Sequence, residues 1–167
     1  EGADDILGGE TLPARALGAV EPTAEQLNDL KKALHVAEKS GELDIGQGAV
    51  VCDGLVLAVE AQEGTDAMLR RVAALPGDLR GEPGAPKGAL GKAPKPIQDL
   101  RVDMPVIGPR TVELAAEAGL AGVGVEDPGE RALDVGGPRV LAFDLVGVVG
   151  AHRPQARAQR STEALPG

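Results

Sequence analysis

The sequence predicts a single mixed α/β domain with a long loop rich in proline and glycine and a disordered C-terminal tail. Segments whose leucines recur at helical spacing alternate with short apolar runs typical of strands, and glycine or proline separates them. The 167 residues suffice for one domain with a hydrophobic core and are too few for two of full size. We therefore expect the domain over residues 1–150 and the tail over residues 151–167.

The first predicted element is a helix that follows an irregular segment, residues 1–22. Thr23 and Gln26 match a capping box, in which the side chain of each residue accepts a backbone N–H of the other. Apolar residues then recur at helical spacing, and Gly41 is a residue type that commonly ends helices. A helix from Thr23 to Gly41 is expected.

A β-hairpin and a second helix are expected next. The apolar runs 48–52 and 55–60 are joined by Asp53-Gly54, a dipeptide typical of two-residue hairpin turns. Thr65 is a favourable N-cap residue, so a second helix is predicted to begin there and to run to Leu75.

The remaining elements are predicted from helix breakers and apolar runs. Prolines and glycines crowd one stretch and indicate a long loop, whereas Pro109 suits the first position of a helix. Three apolar runs indicate strands, the last of them buried. The loop is predicted over residues 76–98, and a short strand over 104–107 follows it. A helix is predicted over 109–119, and the two final strands over 121–125 and 140–149.

The composition argues against nucleic-acid binding. Phe143 is the only aromatic residue, so the chain has no set of rings on which bases could stack. The net charge is −9, and basic residues are concentrated in residues 87–101, so no extended basic face for duplex DNA is expected. That short basic segment could hold a phosphate-bearing small molecule, with solvated loop charges as the alternative.

The chain has one cysteine, Cys52, which excludes an internal disulfide. It lies in an apolar run and is expected to be buried packing rather than a nucleophile. No apolar run reaches the roughly 18 residues of a membrane-spanning helix. The first residues show no signal-peptide pattern, so a cytoplasmic location is expected.

One candidate site lies in a segment that combines proline with charged residues. Lys92 and Lys95 offer point charges, and Arg101 can bind phosphate oxygens through two parallel hydrogen bonds. Asp99 and Asp103 offer hard oxygen ligands of the kind that Mg²⁺ takes in proteins. The segment therefore carries groups for a metal and for a phosphate, although ordinary exposed charges would give the same pattern.

A second candidate site is the turn before the second helix. A helix N-terminus presents free N–H groups and the positive end of the helix dipole, so it can bind an anion. Gly64 permits close approach of the backbone, Thr65 adds a hydroxyl, and Glu60 is a polar residue at a strand end. An ordinary helix start, which also favours Thr65, is the alternative.

Three longer motifs are specific when taken together: Glu-Ala-Gln-Glu-Gly-Thr-Asp, Lys-Ala-Pro-Lys-Pro-Ile-Gln and Arg-Val-Asp-Met-Pro. With the segments around them they span residues 41–51, 59–68, 92–98, 101–105, 107–108 and 119–122. In this order they resemble the C-terminal domain of the LpxI-type UDP-2,3-diacylglucosamine pyrophosphatases of lipid A biosynthesis. The similarity covers roughly residues 6–125.

The resemblance implies an activity and site residues. The family, from Gram-negative bacteria, hydrolyses UDP-2,3-diacylglucosamine to UMP and 2,3-diacylglucosamine 1-phosphate (lipid X). It needs a divalent metal, usually taken to be Mg²⁺, and water attacks the phosphorus nearest uridine. Its essential aspartate corresponds to Asp103, as metal ligand or water activator, and its motif lysine corresponds to Lys92. The expected substrate-binding residues are Lys92, Lys95, Gln98, Arg101, Gly64 and Thr65.

The resemblance also implies partners. Family members enclose substrate between this domain and an N-terminal domain, which we expect to be absent from this chain. Residues 81–91 depart from the family pattern, and beyond residue 125 the usual ending is not recognisable. A fragment that binds the nucleotide-lipid or a partner domain without turnover, and an inactive structural remnant, remain alternatives. A homodimer and peripheral contact with the inner membrane through the lipid substrate also stay open.

Overall fold

The structure is a computed structural model that describes residues 22–95 and 107–126, together with the backbone of 139–143. These residues form a mixed α/β domain, which confirms the predicted fold class. The helices are α1 (Ala24–Glu42), α2 (Gly64–Ala73) and α3 (Pro109–Glu117). The strands are β1 (Gly48–Cys52), β2 (Leu55–Val59), β3 (Ala89–Lys92), β4 (Gly122–Val125) and β5 (Arg139–Phe143).

Helix α1 begins with the predicted capping box. Gln26 donates its backbone N–H to the Thr23 hydroxyl at 3.2 Å, and Thr23 donates its own N–H to the Gln26 side chain at 2.9 Å. The predicted end at Gly41 is wrong by one residue. Gly41 is buried within the last turn, and the chain reverses at Asp44, which has a positive φ of 55°.

The predicted hairpin is confirmed. Asp53 and Gly54 have φ values of 50° and 76°, the left-handed pair that a tight turn between twisted strands requires. The carboxylate of Asp29 on α1 accepts the N–H groups of both turn residues, at 2.9 and 2.8 Å. Asp29 is buried, and because its carboxylate accepts both turn N–H groups it attaches the hairpin to the helix.

The five strands form one sheet in the order β2-β1-β3-β4-β5. Strands β3 and β4 are parallel, and the other neighbouring pairs are antiparallel. On one face, Val50, Leu90 and Val123 pack against α2 and α3 in the main hydrophobic cluster. Helix α1 covers the other face, where a Cβ on Gly91 would lie 2.5 Å from the backbone nitrogen of Leu34. The sheet is therefore sandwiched between α1 and the α2–α3 pair.

The position of β3 corrects one prediction. Residues 76–98 were expected to form a continuous long loop, but Ala89–Lys92 is a strand between β1 and β4. All four residues of β3 are buried. Lys92 therefore projects from a strand inside the sheet rather than from the predicted long loop.

The third helix is confirmed, with Pro109 in its first turn, and so is the strand that follows it. The last strand begins at Arg139, one residue before the predicted start, and its backbone is described to Phe143. The predicted strand over 104–107 and the tail over 151–167 lie outside the described residues or at their border. Cys52 is fully buried, as expected, and no helix among the described residues is long and apolar enough to cross a membrane.

Candidate functional site

The candidate site lies at the sheet edge where β3 and β4 end. These strands are parallel and Lys92 is paired with Val125, so their carboxyl ends meet. Helix α2 begins at the same edge, because Thr65 in its first turn is hydrogen-bonded to Lys92. Arg110 and Asp66, in the first turns of α3 and α2, form an ion pair at 3.4 Å. Two helix N-termini therefore converge beside the carboxyl ends of two parallel strands, a common place for ligand sites in α/β proteins.

Lys92 is the cation at the centre of this edge. Its side chain belongs to a residue that is only 5% exposed, and its Nζ donates to the Thr65 hydroxyl at 2.9 Å. Thr65 in turn donates to Oε2 of Glu60 at 3.0 Å, and Glu60 is 8% exposed. A buried ammonium and a buried carboxylate are thus connected through one hydroxyl group.

Two glycines make room for this arrangement. Gly48 is paired with Lys92 across the β1–β3 ladder, and a Cβ on Gly48 would lie 2.4 Å from Glu60 Oε2. A Cβ on Gly46 would lie 1.9 Å from the backbone oxygen of Glu60. The Glu60 residue therefore occupies space that side chains at positions 46 and 48 would fill.

Thr65 is not the helix cap that its position predicts. Helix α2 begins one residue earlier, at Gly64, and its N-cap Glu63 makes no side-chain capping hydrogen bond. The Thr65 hydroxyl bonds to Lys92 and Glu60 instead. A hydrogen bond from Arg71 at 2.6 Å holds the Glu63 carboxylate away from capping and keeps its pKa below the ordinary value.

Gly64 adopts a φ of 78°, a conformation that glycine takes without strain. Nothing lies within 4 Å of the position where a Cβ would be, so the backbone is open at the first residue of α2. Helix α3, which begins at Pro109, also has no side-chain cap, because its N-cap residue is Gly108. An anion at this edge could approach both helix starts.

Lys95 is placed differently from Lys92. Its Nζ lies 2.8 Å from Asp44 Oδ1, so it connects the end of β3 to the turn between α1 and β1. The side chain of Lys95 is 18% exposed, whereas that of Asp44 is 74% exposed.

Of the predicted binding residues, the structure brings together Lys92, Thr65 and Gly64. Gln98, Arg101 and Asp103 lie outside the described residues.

The described residues do not by themselves form a metal site. Among residues 22–95 and 107–126, no group of three or more His, Cys, Asp or Glu side chains could hold a metal ion. Glu60 is the buried carboxylate at this edge, and its Oε2 already accepts from Thr65. Any Mg²⁺ here would need a further ligand, for which Asp103 remains the predicted residue.

The sequence indicated Glu60 as a polar residue at a strand end, but it missed the role of Gly48. The pairing of Gly48 with Lys92 depends on the β1–β3 register, which no local pattern reveals. The motif Gly46-Gln-Gly48, placed just before a strand, was the available signal, because glycines at such positions often mark close backbone approach.

Comparisons with known proteins agree with this picture. The model of the LpxI C-terminal domain matches residues 13–136, and so extends beyond residue 125, where the sequence resemblance was expected to stop. A relative named UDP-2,3-diacylglucosamine pyrophosphatase LpxI, from Caulobacter vibrioides, is 62% identical over 123 residues. Those residues are 74% of this chain and 44% of the relative, so the chain spans less than half the relative's length. By this match the chain belongs to the LpxI family, through the family's C-terminal domain.

Proposed function

We propose that this chain supplies the phosphate-binding part of a UDP-2,3-diacylglucosamine pyrophosphatase in lipid A biosynthesis. The observation that carries the proposal is the contact between buried Lys92 and Thr65 where α2 begins. Membership of the LpxI family and the name of the Caulobacter vibrioides relative support the substrate class.

The charge arrangement suits a diphosphate. Lys92 presents a positive charge at a water-poor position, where its attraction for an anion is screened less than at the surface. The first turns of α2 and α3 add N–H groups and the positive ends of two helix dipoles. Hydrolysis of a diphosphate increases negative charge on the phosphate oxygens, and fixed positive groups stabilise that charge without reorganising.

The proposed reaction yields UMP and 2,3-diacylglucosamine 1-phosphate. Water adds to the phosphorus nearest uridine, and the bond from that phosphorus to the bridging oxygen breaks. The sugar 1-phosphate leaves with the bridging oxygen and its electron pair, while the water oxygen becomes part of UMP. Lys92 and Arg101 would bind diphosphate oxygens, and Gln98 and Lys95 would contact the substrate around them.

We assign the metal to Asp103 together with substrate phosphate oxygens, since Mg²⁺ typically uses one or two carboxylates and keeps several waters. When bound, the metal neutralises charge on the phosphoryl oxygens and promotes deprotonation of water. With a substrate that carries two acyl chains, the reaction is proposed to take place at the cytoplasmic side of the inner membrane.

The test of this proposal is metal-dependent release of UMP. We expect Asp103→Asn to abolish it, because the amide is nearly isosteric but lacks the charge that holds a metal. Asp78→Asn is the matched control, since Asp78 is exposed. The assay is run with this chain alone and with the N-terminal part of the Caulobacter vibrioides relative added. Unchanged turnover in Asp103→Asn would contradict the assignment.

The second candidate function is binding of the nucleotide-lipid without turnover. It is favoured by the match to 44% of the relative, because a complete site would then need groups from outside the matched part. In that case UMP is not released by the chain alone, but the substrate still raises its melting temperature. A substrate that neither reacts nor stabilises the chain would contradict both functions.

A further inference from the structure

Glu60 is one of the few buried charged residues among those described, and the proposed reaction gives it no role of its own. It follows directly after β2, and its backbone N–H donates to the Gly48 carbonyl oxygen at 2.8 Å. The carboxylate lies where a side chain at position 48 would lie. A buried carboxylate is costly unless it is hydrogen-bonded, and the bond that Glu60 accepts from Thr65 both stabilises it and points to its task.

The task follows from the direction of two hydrogen bonds. A hydroxyl has one hydrogen to donate and lone pairs with which to accept. Because Thr65 donates to Glu60, its hydrogen points away from Lys92, and a lone pair faces the ammonium. Glu60 therefore determines the orientation in which Thr65 can accept from Lys92.

We propose that Glu60 is a positioning residue that acts through Thr65 to hold the Lys92 ammonium toward a phosphate group. The Thr65 hydroxyl lies between the two charged groups, accepting from the Lys92 ammonium and donating to the Glu60 carboxylate. Thr65 accepts one of the three ammonium hydrogens of Lys92 and so fixes the direction in which the ammonium points. This inference rests on the proposed phosphate site, and it adds Glu60 and Gly48 to the residues on which that site depends.

The first measurement needs no ligand. Exchange of the Lys92 ammonium hydrogens with water is followed by ¹H–¹⁵N spectroscopy of the lysine side chains. We expect Thr65→Val to accelerate exchange about tenfold, the equivalent of one hydrogen bond to a charged group, and Thr65→Ser to restore it. Glu117→Met is the control, because Glu117 is exposed at the far end of α3 and should leave exchange unchanged.

The role of Glu60 is isolated by two substitutions of similar size. Glu60→Gln removes the charge but keeps an oxygen that can accept from Thr65, whereas Glu60→Met removes the acceptor as well. We expect slow exchange in the Gln variant and about tenfold faster exchange in the Met variant. In a Thr65→Val background the two variants should be equal, because Glu60 then has no hydroxyl to orient.

A further variant leaves Glu60 and Thr65 in place. Gly48→Ala would put a Cβ 2.4 Å from Oε2 of Glu60 and so displace the carboxylate, and it should accelerate exchange as Glu60→Met does.

Calorimetry with Mg²⁺ and inorganic pyrophosphate distinguishes the positioning role of Glu60 from the proposed phosphate site. Thr65→Val and Glu60→Met should each weaken binding about tenfold relative to their Ser and Gln counterparts.

Each outcome decides between the two ideas. An unprotected Lys92 ammonium in the unaltered chain, or equal exchange in the Gln and Met variants, would overturn the positioning role. A protected ammonium with the expected order of variants, but no binding of pyrophosphate, would overturn the phosphate site and leave the Glu60–Thr65 relation standing. If the unaltered chain binds pyrophosphate and every variant binds it equally well, the positioning role is overturned.

Discussion

Lys92 and Thr65 are 27 positions apart in the sequence, yet Nζ of Lys92 lies 2.9 Å from Oγ1 of Thr65. The contact joins the last residue of β3 to the first turn of α2. It therefore unites two candidate sites that the sequence could only propose separately. A phosphate group placed there would meet an ammonium and the N–H groups of a helix start together.

The first prediction concerns binding by Lys92. We expect Lys92→Met to weaken binding of pyrophosphate in the presence of Mg²⁺ by about tenfold or more, since a hydrogen bond to a charged group contributes on the order of 1.5–3 kcal/mol. Methionine keeps most of the length and apolar character of the lysine stem. The measurement is isothermal titration calorimetry on the folded chain.

Two further variants show whether the effect is specific to Lys92. Lys31→Met removes an exposed charge from α1 and should leave affinity unchanged. Lys95→Met should have a smaller effect than Lys92→Met, because the Asp44 carboxylate already offsets the Lys95 charge. Equal losses in all three variants would mean that net charge alone governs binding.

Local patterns were enough to predict much of the fold. The Thr23–Gln26 capping box, the Asp53-Gly54 turn and Pro109 act over a few residues, so the sequence alone reveals them. Strand β3 was missed because it is four residues long and is flanked by prolines and glycines. Its stability comes from pairing with β1 on one side and β4 on the other, which is invisible locally.

For the site, too, the sequence revealed some of the residues but not the contacts between them. The sequence identified Lys92 by its charge and Thr65 by its place at a helix start, and both assignments depend on residue type. The capping role predicted for Thr65 was wrong, because bonds to Lys92 and Glu60 take its hydroxyl. Whether Asp103 completes the site remains a prediction, since it lies outside the described residues.

The second prediction concerns the contact between α1 and β3. A Cβ on Gly91 would lie 2.5 Å from the nitrogen of Leu34 and 2.7 Å from the carbonyl carbon of Ala33. These are backbone atoms, so the helix as a whole would have to move. We expect Gly91→Ala to lower the free energy of unfolding by about 3 kcal/mol, as overpacking of a core does.

The matched control is Gly84→Ala, because nothing lies within 4 Å of the corresponding Cβ position. It should change the free energy of unfolding by less than about 0.5 kcal/mol. Urea denaturation of both variants makes the comparison. Equal stability of the two variants would show that α1 does not lie against Gly91 in solution.

The third prediction concerns the anchoring of the hairpin by Asp29. Asp29→Ala would leave the N–H groups of Asp53 and Gly54 without their acceptor and would remove two charge-assisted hydrogen bonds. We expect a loss of about 2–4 kcal/mol in the free energy of unfolding. Asn28→Ala changes an exposed neighbour on the same helix and serves as the control. Wild-type stability of the Asp29 variant would contradict the anchor.

The last prediction is a pH dependence that originates at Cys52. Burial is the main cause that raises the pKa of this thiol from 9.0 to about 11, and the carboxylates of Asp53 and Asp29 add to the effect. In the unfolded chain the thiol loses its proton near its ordinary pKa, whereas in the folded chain it keeps the proton up to about pH 11. Between these pH values the folded state binds more protons, so raising the pH favours unfolding.

Stability should therefore be insensitive to Cys52 below about pH 9 and should fall between about pH 9 and 11, by on the order of 2 kcal/mol. Cys52→Ala removes the titrating group and should remove this part of the slope, although its stability is lower throughout because of the lost packing. The chain has no tyrosine, so lysines are the main other side chains that titrate in this range, and they are common to both proteins. Urea denaturation midpoints measured from about pH 8 to 11 give the comparison. Parallel pH profiles for the two proteins would show that the Cys52 thiol has the same pKa in the folded and unfolded states.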